Sequence, residues 1–135
     1  MKTLNEIKDE AQAKRTELFN KVGLFWAFSN EQFEEGKTPF EEGKEKIYSS
    51  IGHGGYLPKY NVDAFLNGME AIRKEETRQI KESKKLVEDH IKYELANYES
   101  YYTGDISEAC KVLPYPKKQI LKIYVQERQR WAEAN

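Results

Sequence analysis

Four places in this chain hold residue types that could do chemistry. The first is Gly52-His53-Gly54-Gly55. Glycine-rich loops cradle phosphate when they end in Gly-Lys-Ser/Thr and feed a helix N-terminus, where amides and the lysine meet the anion. Here Tyr56-Leu57-Pro58-Lys59 follows, no such ending occurs, and the GxGxxG spacing is absent. The segment therefore reads as a turn from strand to helix, with presentation of His53, Tyr56 and Lys59 to a protein as its functional reading. The second place is His90 and Glu94, one helical turn apart, with Glu88 and Asp89 alongside. A transition metal accepts that pair but needs a third ligand, usually another histidine. The only other histidine is His53, so no metal ligand is assigned.

Cys110 is the third place. It sits among Ile106, Val112 and Leu113, where a thiol reads as a small buried hydrophobe. No GxSxG elbow occurs, and no carboxylate pair stands out by spacing as acid and base. The fourth place is Ser29-Asn30-Glu31-Gln32, which has the form of a capping box. An enzymatic or small-molecule site would have to be built from Ser29, Asn30, His53, Lys59 or Asp105, near the Gly52–Gly55 turn. No catalytic residue and no cofactor is assigned, and the chain is read as non-enzymatic.

Binding surfaces are better represented. Tyr93, Tyr98, Tyr101 and Tyr102 cluster on one stretch, Tyr98 and Tyr102 sharing a helical face with Leu95. Tyrosine and arginine are enriched at interface hot spots, whereas the flanking Glu94, Glu99 and Asp105 repel phosphates. Charge is also unevenly spread. Glu31–Lys46 carries six Glu against three Lys, while Lys111–Arg130 carries Lys111, Lys117, Lys118, Lys122, Arg128 and Arg130 against Glu127 alone. Between them, Glu70–Asp89 alternates six positive and six negative residues, the pattern of a solvated helix face with pairs such as Glu70–Lys74 and Glu88–Lys92.

These residues must be positioned by elements that periodicity and punctuation suggest. Leu4, Ile7, Ala11, Leu18 and Val22 mark a helix over about Lys2 to Lys21, interrupted by Lys14 and Arg15 and ended by Gly23. Leu24–Phe28 reads as a buried strand paired with Lys46–Ile51. Ser29 starts a short helix that stops at Gly36, and Thr38-Pro39-Phe40-Glu41 starts another. Asn61 caps a helix with the stripe Val62, Phe65, Leu66, Met69 and Ile72. Arg73–Lys85 either continues it or breaks near Ser83. Leu86/Val87, Ile91, Leu95, Tyr98 and Tyr102 mark one helix ending at Gly104, and Asp105 caps a short successor. Two prolines keep Leu113–Pro116 out of helix. Ile120, Leu121, Tyr124, Arg128 and Trp131 mark a final helix with a basic back. The expected fold is α+β, a mostly helical single domain over 1–135 with a small two- or three-stranded antiparallel sheet.

Composition fits that picture. With 135 residues, 39% hydrophobic, 33% charged, 13% aromatic and a net charge of -1, the chain is polar but too ring-rich for disorder. No apolar run reaches membrane-spanning length, the N-terminus lacks a signal-like apolar region, and the lone cysteine suits a reducing compartment. A cytoplasmic location without membrane attachment is expected.

Phe25–Gly36, Gly52–Lys59, Asn61–Met69 and Glu94–Asp105, with its Tyr-Tyr-Thr-Gly-Asp string, together resemble a family of small bacteriophage and prophage proteins. No enzymatic activity is attached to that family. The resemblance implies an accessory factor of the anti-CRISPR kind, which binds and disables a host defence effector such as an RNA-guided nuclease or its RNA-bound complex. On that reading Glu31, Glu34, Glu35, Tyr56, Lys59, Tyr101, Tyr102 and Asp105 contact the host protein. The alternative is a nucleic-acid-binding accessory protein using Lys117, Lys118, Lys122, Arg128 and Arg130.

Overall fold

The apolar stripe at the N-terminus folds as α1 (Leu4–Val22), and Gly23 ends it. In the computed structural model, which describes residues 1–134, β1 (Phe25–Trp26), α2 (Asn30–Gly36), β2 (Tyr48–Gly52) and β3 (Gly55–Pro58) follow. A 3-10 turn at Lys59–Asn61 leads into α3 (Val62–Lys81). The helices α4 (Lys84–Asn97), α5 (Ser100–Thr103), α6 (Ser107–Val112) and α7 (Lys117–Ala134) complete the chain. The fold is α+β, with one antiparallel three-stranded sheet among the described residues.

Strand order departs from expectation. The sheet runs β1-β3-β2, so β1 pairs with β3, Phe25 opposite Tyr56 and Trp26 opposite Gly55, and not with the Lys46–Ile51 region. The cause is the turn between Gly52 and Gly55. His53 at φ 54 and Gly54 at φ 83 both hold left-handed backbone, the requirement of a two-residue turn whose twist matches that of the strands it joins. The glycine-rich segment therefore closes a β2–β3 hairpin rather than leading from strand to helix. Tyr56-Leu57-Pro58 becomes the central strand, and β1 takes its free edge.

Four further expectations are corrected. Thr38–Glu41 is not helical: the Thr38 hydroxyl donates to the Gly23 carbonyl at 2.7 Å, and Tyr48 donates to the Thr38 carbonyl, so no helix end is left for it to cap. Asn61 donates its side-chain amide to the Val22 carbonyl at 2.9 Å and does not act through an acceptor oxygen. The stretch Leu86–Tyr102 is not one helix, because Glu99 adopts φ 54 and separates α4 from α5. On α7 the core is met by Ile120 and Ile123, while Leu121 is exposed. Of the two readings of Arg73–Lys85, the structure has the break near Ser83. The Ser83 hydroxyl accepts from the Leu86 amide at 3.4 Å and starts α4 after α3 has run to Lys81.

Residue contacts group the chain into two compact units. One spans Lys8–Glu76 and centres on Val22, Leu57 and Phe65, with Leu18, Phe19, Ile51 and Met69 against them. Arg15, a break in the apolar stripe, reaches Glu76 on α3 at 3.2 Å. The other unit comprises Met1–Ile7 and the chain from Thr77 onward. Its main core joins Ile91 and Leu95 of α4, Ala109 of α6, Leu113, and Ile120 and Ile123 of α7. Leu4, Ile7, Ile80 and Leu86 form a second cluster there. Burying each such aliphatic side chain contributes about 1.5–3 kcal/mol.

Candidate functional site

In the Lys8–Glu76 unit the segment after β1 is fixed by two hydrogen bonds to Gln32. Ser29, extended at φ -152 and ψ 163, accepts from the Gln32 amide at 3.1 Å through Oγ. The Gln32 side chain does not close the expected capping box on the Ser29 amide: its Oε1 accepts from the Phe28 amide, one residue earlier, at 2.8 Å. One residue earlier, the Ala27 amide donates to the Gly54 carbonyl at 2.8 Å and prolongs the β1–β3 pairing to the hairpin tip. Phe28 is thus clamped through its backbone on both sides, yet its ring is 76% exposed. That ring rests on Gly54, where a Cβ would meet Phe28 Cε1 at 2.4 Å.

Beneath it lies a cluster of rings. Phe25 is buried and holds Phe33 and Tyr48 edge-on, each at 5.3 Å, and Tyr56 stacked at 5.9 Å. Phe33 and Tyr56 stand perpendicular at 5.1 Å, and Phe40 extends the cluster through Tyr48 at 4.3 Å. Side chains alternate along β3, so Tyr56 faces this cluster while Leu57 points to the unit's apolar core. Phe28, Phe33 and Tyr56 wall a cleft of about 710 Å³, completed by Ala27, Ser29, Asn30, Glu34 and Gly54. The Glu34 carboxylate holds Lys37 Nζ at 2.6 Å, a hydrogen bond that raises the lysine's pKa above its ordinary value. Burial among the rings raises the Tyr48 hydroxyl, partly countered by the charge of Lys37.

The predicted contact residues divide between the two units. Glu31, Glu34, Glu35, Tyr56 and Lys59 belong to the first and Tyr101, Tyr102 and Asp105 to the second. Of the former, Glu34 and Tyr56 line the cleft, Glu31 and Glu35 are exposed on α2, and Lys59 lies beyond β3 outside it. Ser29 and Asn30 join Gly54 in the cleft, whereas His53 sits exposed at the hairpin turn. The apolar run Leu24–Phe28 predicts a buried Phe28, and no periodicity marks Phe33 as a site residue. The available signal was their spacing around Ser29, the positions that a hydrophobic staple joins at a helix start.

In the second unit the tyrosines are drawn into α7. Tyr101 stacks on Tyr124 with rings 5.9 Å apart and 8° from parallel. Burial pushes its hydroxyl up to about 12. Arg128 donates to the Tyr101 carbonyl and lies 5.3 Å from the centre of the Trp131 ring, which Tyr102 meets edge-on at 5.1 Å. The turn at Glu99 removes Tyr102 from the Leu95 face that a continuous helix would have given it. Asp105 accepts from the Ser107 amide at 2.9 Å and from its hydroxyl at 2.5 Å, bonds that lower its pKa; it is not the expected cap, because α6 starts from Ile106, which makes no side-chain cap bond. Lys117, Lys118 and Lys122 are exposed, while Arg130 pairs with Glu127 at 2.9 Å. Lys92 also reaches Glu127, at 3.3 Å, instead of the Glu88 expected from spacing.

His90 meets the Tyr115 hydroxyl at 2.9 Å, and among the described residues no three His, Cys, Asp or Glu side chains converge as metal ligands would. Cys110 is half-buried against the main core of its unit. No described helix is long and apolar enough to cross a membrane.

Rings and one carboxylate, Glu34, surround this open cleft. The chain belongs to a family of unknown function (DUF7659), whose model matches residues 7–131. No curated protein and no solved structure matches it.

Proposed function

We propose that the protein is a binding module that acts by stoichiometric attachment to a protein partner through the cleft face of the Lys8–Glu76 unit. The observation that carries this reading is Phe28, a large apolar ring held by its backbone yet 76% exposed. Aromatic residues are enriched at protein interfaces, and a backbone that is already fixed loses less conformational freedom on binding. Glu31, Glu34 and Glu35 on the adjoining helix favour a partner with a basic surface. The narrower form, suggested by the resemblance to phage proteins, is inhibition of a host defence effector such as an RNA-guided nuclease. The nucleic-acid channel of such an enzyme is a basic surface that an acidic helix suits. Direct nucleic-acid binding has less support, because Arg128 is engaged by the Tyr101 carbonyl and the Trp131 ring.

The test is capture of the tagged protein and its Phe28→Ser variant from a lysate of a defence-bearing host, with and without nuclease treatment, read by mass spectrometry. One dominant nuclease-resistant protein retained by the native chain and lost by the variant is expected. Recovery of nucleic acid alone, or equal capture by both chains, would overturn the proposal.

A further inference from the structure

Three ring walls and one carboxylate around a single cleft select for a particular ligand charge. The face of an aromatic ring carries negative electrostatic potential and attracts cations placed over it. Phe33 and Tyr56 stand perpendicular at 5.1 Å and both line the cleft. Phe28 supplies the outer wall, and the Glu34 carboxylate and the Asn30 side chain bring hydrogen-bond acceptors into the same space. A cation already sits beside this carboxylate: Lys37 Nζ at 2.6 Å, in a pair whose side chains are 44% and 66% exposed. Such an exposed pair is weakly held and exchangeable.

We propose that the cleft is a subsite for an arginine side chain of the protein partner, its guanidinium displacing Lys37 from Glu34 and stacking against the rings. This rests on the protein-binding reading above and names the chemistry of its central contact. Arginine is favoured over lysine because its planar group stacks on rings and directs several donors at once, matching a wall of rings with acceptors at one end. A volume of about 710 Å³ accommodates the whole side chain and some flanking backbone.

The experiment titrates the full chain with a capped glycine pentapeptide carrying a single central arginine, and with twins carrying lysine, norleucine or glutamate, followed by backbone amide NMR. Saturable shifts at Ala27, Phe28, Asn30 and Gly54 are expected with arginine, at an affinity about fivefold or more above every twin. Phe28→Ala and Glu34→Gln should each weaken the arginine peptide by a similar factor, and Lys37→Met should tighten it about two- to fivefold. Equal binding of the lysine or norleucine twin, preference for glutamate, or indifference to both cleft variants would overturn the subsite. Thermal melts and amide spectra of the variants separate a lost site from a lost fold, and both cleft substitutions fall on exposed side chains. A captured partner lost with Phe28→Ser but kept with Glu34→Gln would sink the arginine subsite and leave the binding role standing. Arginine binding without a captured partner would do the reverse.

Discussion

Two glycines of one hairpin offer a controlled test of how Phe28 is held. Gly52 has φ 87 and Gly54 has φ 83, so an alanine at either position suffers the same left-handed strain, about 1–2 kcal/mol. The reduced freedom of the unfolded chain offsets about 0.4–1 kcal/mol of this. Each variant should therefore lose about 1 kcal/mol, or about 4 °C in Tm. Their surroundings differ. A Cβ at Gly52 meets nothing within 4 Å, while one at Gly54 would come within 2.4 Å of the Phe28 ring. Because that ring is mostly exposed, it can swing away at small cost, and the two variants should agree in stability to within about 0.5 kcal/mol. Only Gly54→Ala should move Phe28, alter its ring-proton shifts and weaken partner or arginine-peptide binding. The assay pairs thermal unfolding with NMR and the peptide titration. If Gly54→Ala leaves Phe28 and binding as they are in Gly52→Ala, the ring does not depend on the bare backbone beneath it, and the account of the cleft wall fails. A loss several kcal/mol larger at Gly54 would equally refute it, by making Phe28 a structural anchor.

The remaining predictions concern groups outside the cleft. Ser100 is fully buried and its Oγ has no hydrogen-bond partner, so Ser100→Ala should raise stability by about 1 kcal/mol in chemical denaturation. A loss there would show that the hydroxyl is bonded after all. Thr38→Val keeps the shape but strips the Gly23 carbonyl of its donor, and should lower stability by about 1 kcal/mol; an unchanged Tm would remove Thr38 from the list of groups that hold the chain after α1. Burial raises both Tyr101 and Tyr115 to about 12, whereas the unfolded phenol ionises near pH 10. Between about pH 10 and 12 the unfolded chain therefore releases protons that the folded chain keeps, and stability falls as pH rises. Denaturant titrations across that range should show the fall, and Tyr101→Phe with Tyr115→Phe should flatten it.

Much of the architecture was legible where local chemistry decides it. Ser29 and Gly104 mark boundaries because a hydroxyl acceptor or a left-handed residue acts over three or four positions. The Glu70–Lys74 pair follows from helix geometry alone and is present at 3.7 Å. Misreadings came where a distant group competed for the same atoms. Thr38 has the sequence of a helix cap but gives its hydroxyl to Gly23, fifteen residues away. Glu99 lies within a continuous apolar periodicity, yet its backbone turns left-handed and no residue type there announces it. For the sheet, the deciding feature was His53. Two-residue hairpin turns are announced by Asn-Gly or Asp-Gly, and His-Gly stands here instead, so the sequence does not mark Gly52–Gly55 as a hairpin or Tyr56–Pro58 as the central strand.

The site was half-legible for a related reason. Glutamates on α2 are visible as charge, but an aromatic residue carries no mark in the sequence that says whether it is buried. Phe25 and Phe28 lie three residues apart in one apolar run, and their exposures are 8% and 76%. What separates them is hydrogen bonding. Phe25 sits opposite Tyr56 in the ladder, with its ring stacked on Tyr56, whereas the bonds of Ser29 and of the Phe28 amide to Gln32 turn the chain into α2 directly after Phe28. Hydrophobic burial would draw that ring inward if the backbone were free to follow. Its exposure follows from the competing demand of a helix start and a paired strand meeting at one residue. Replacing Gln32 with alanine would release one side of that clamp without touching the rings. Glutamate in its place restores the acceptor, so binding that falls in Gln32→Ala and returns in Gln32→Glu would assign the exposed ring to its backbone restraint, and equal binding by both would deny it.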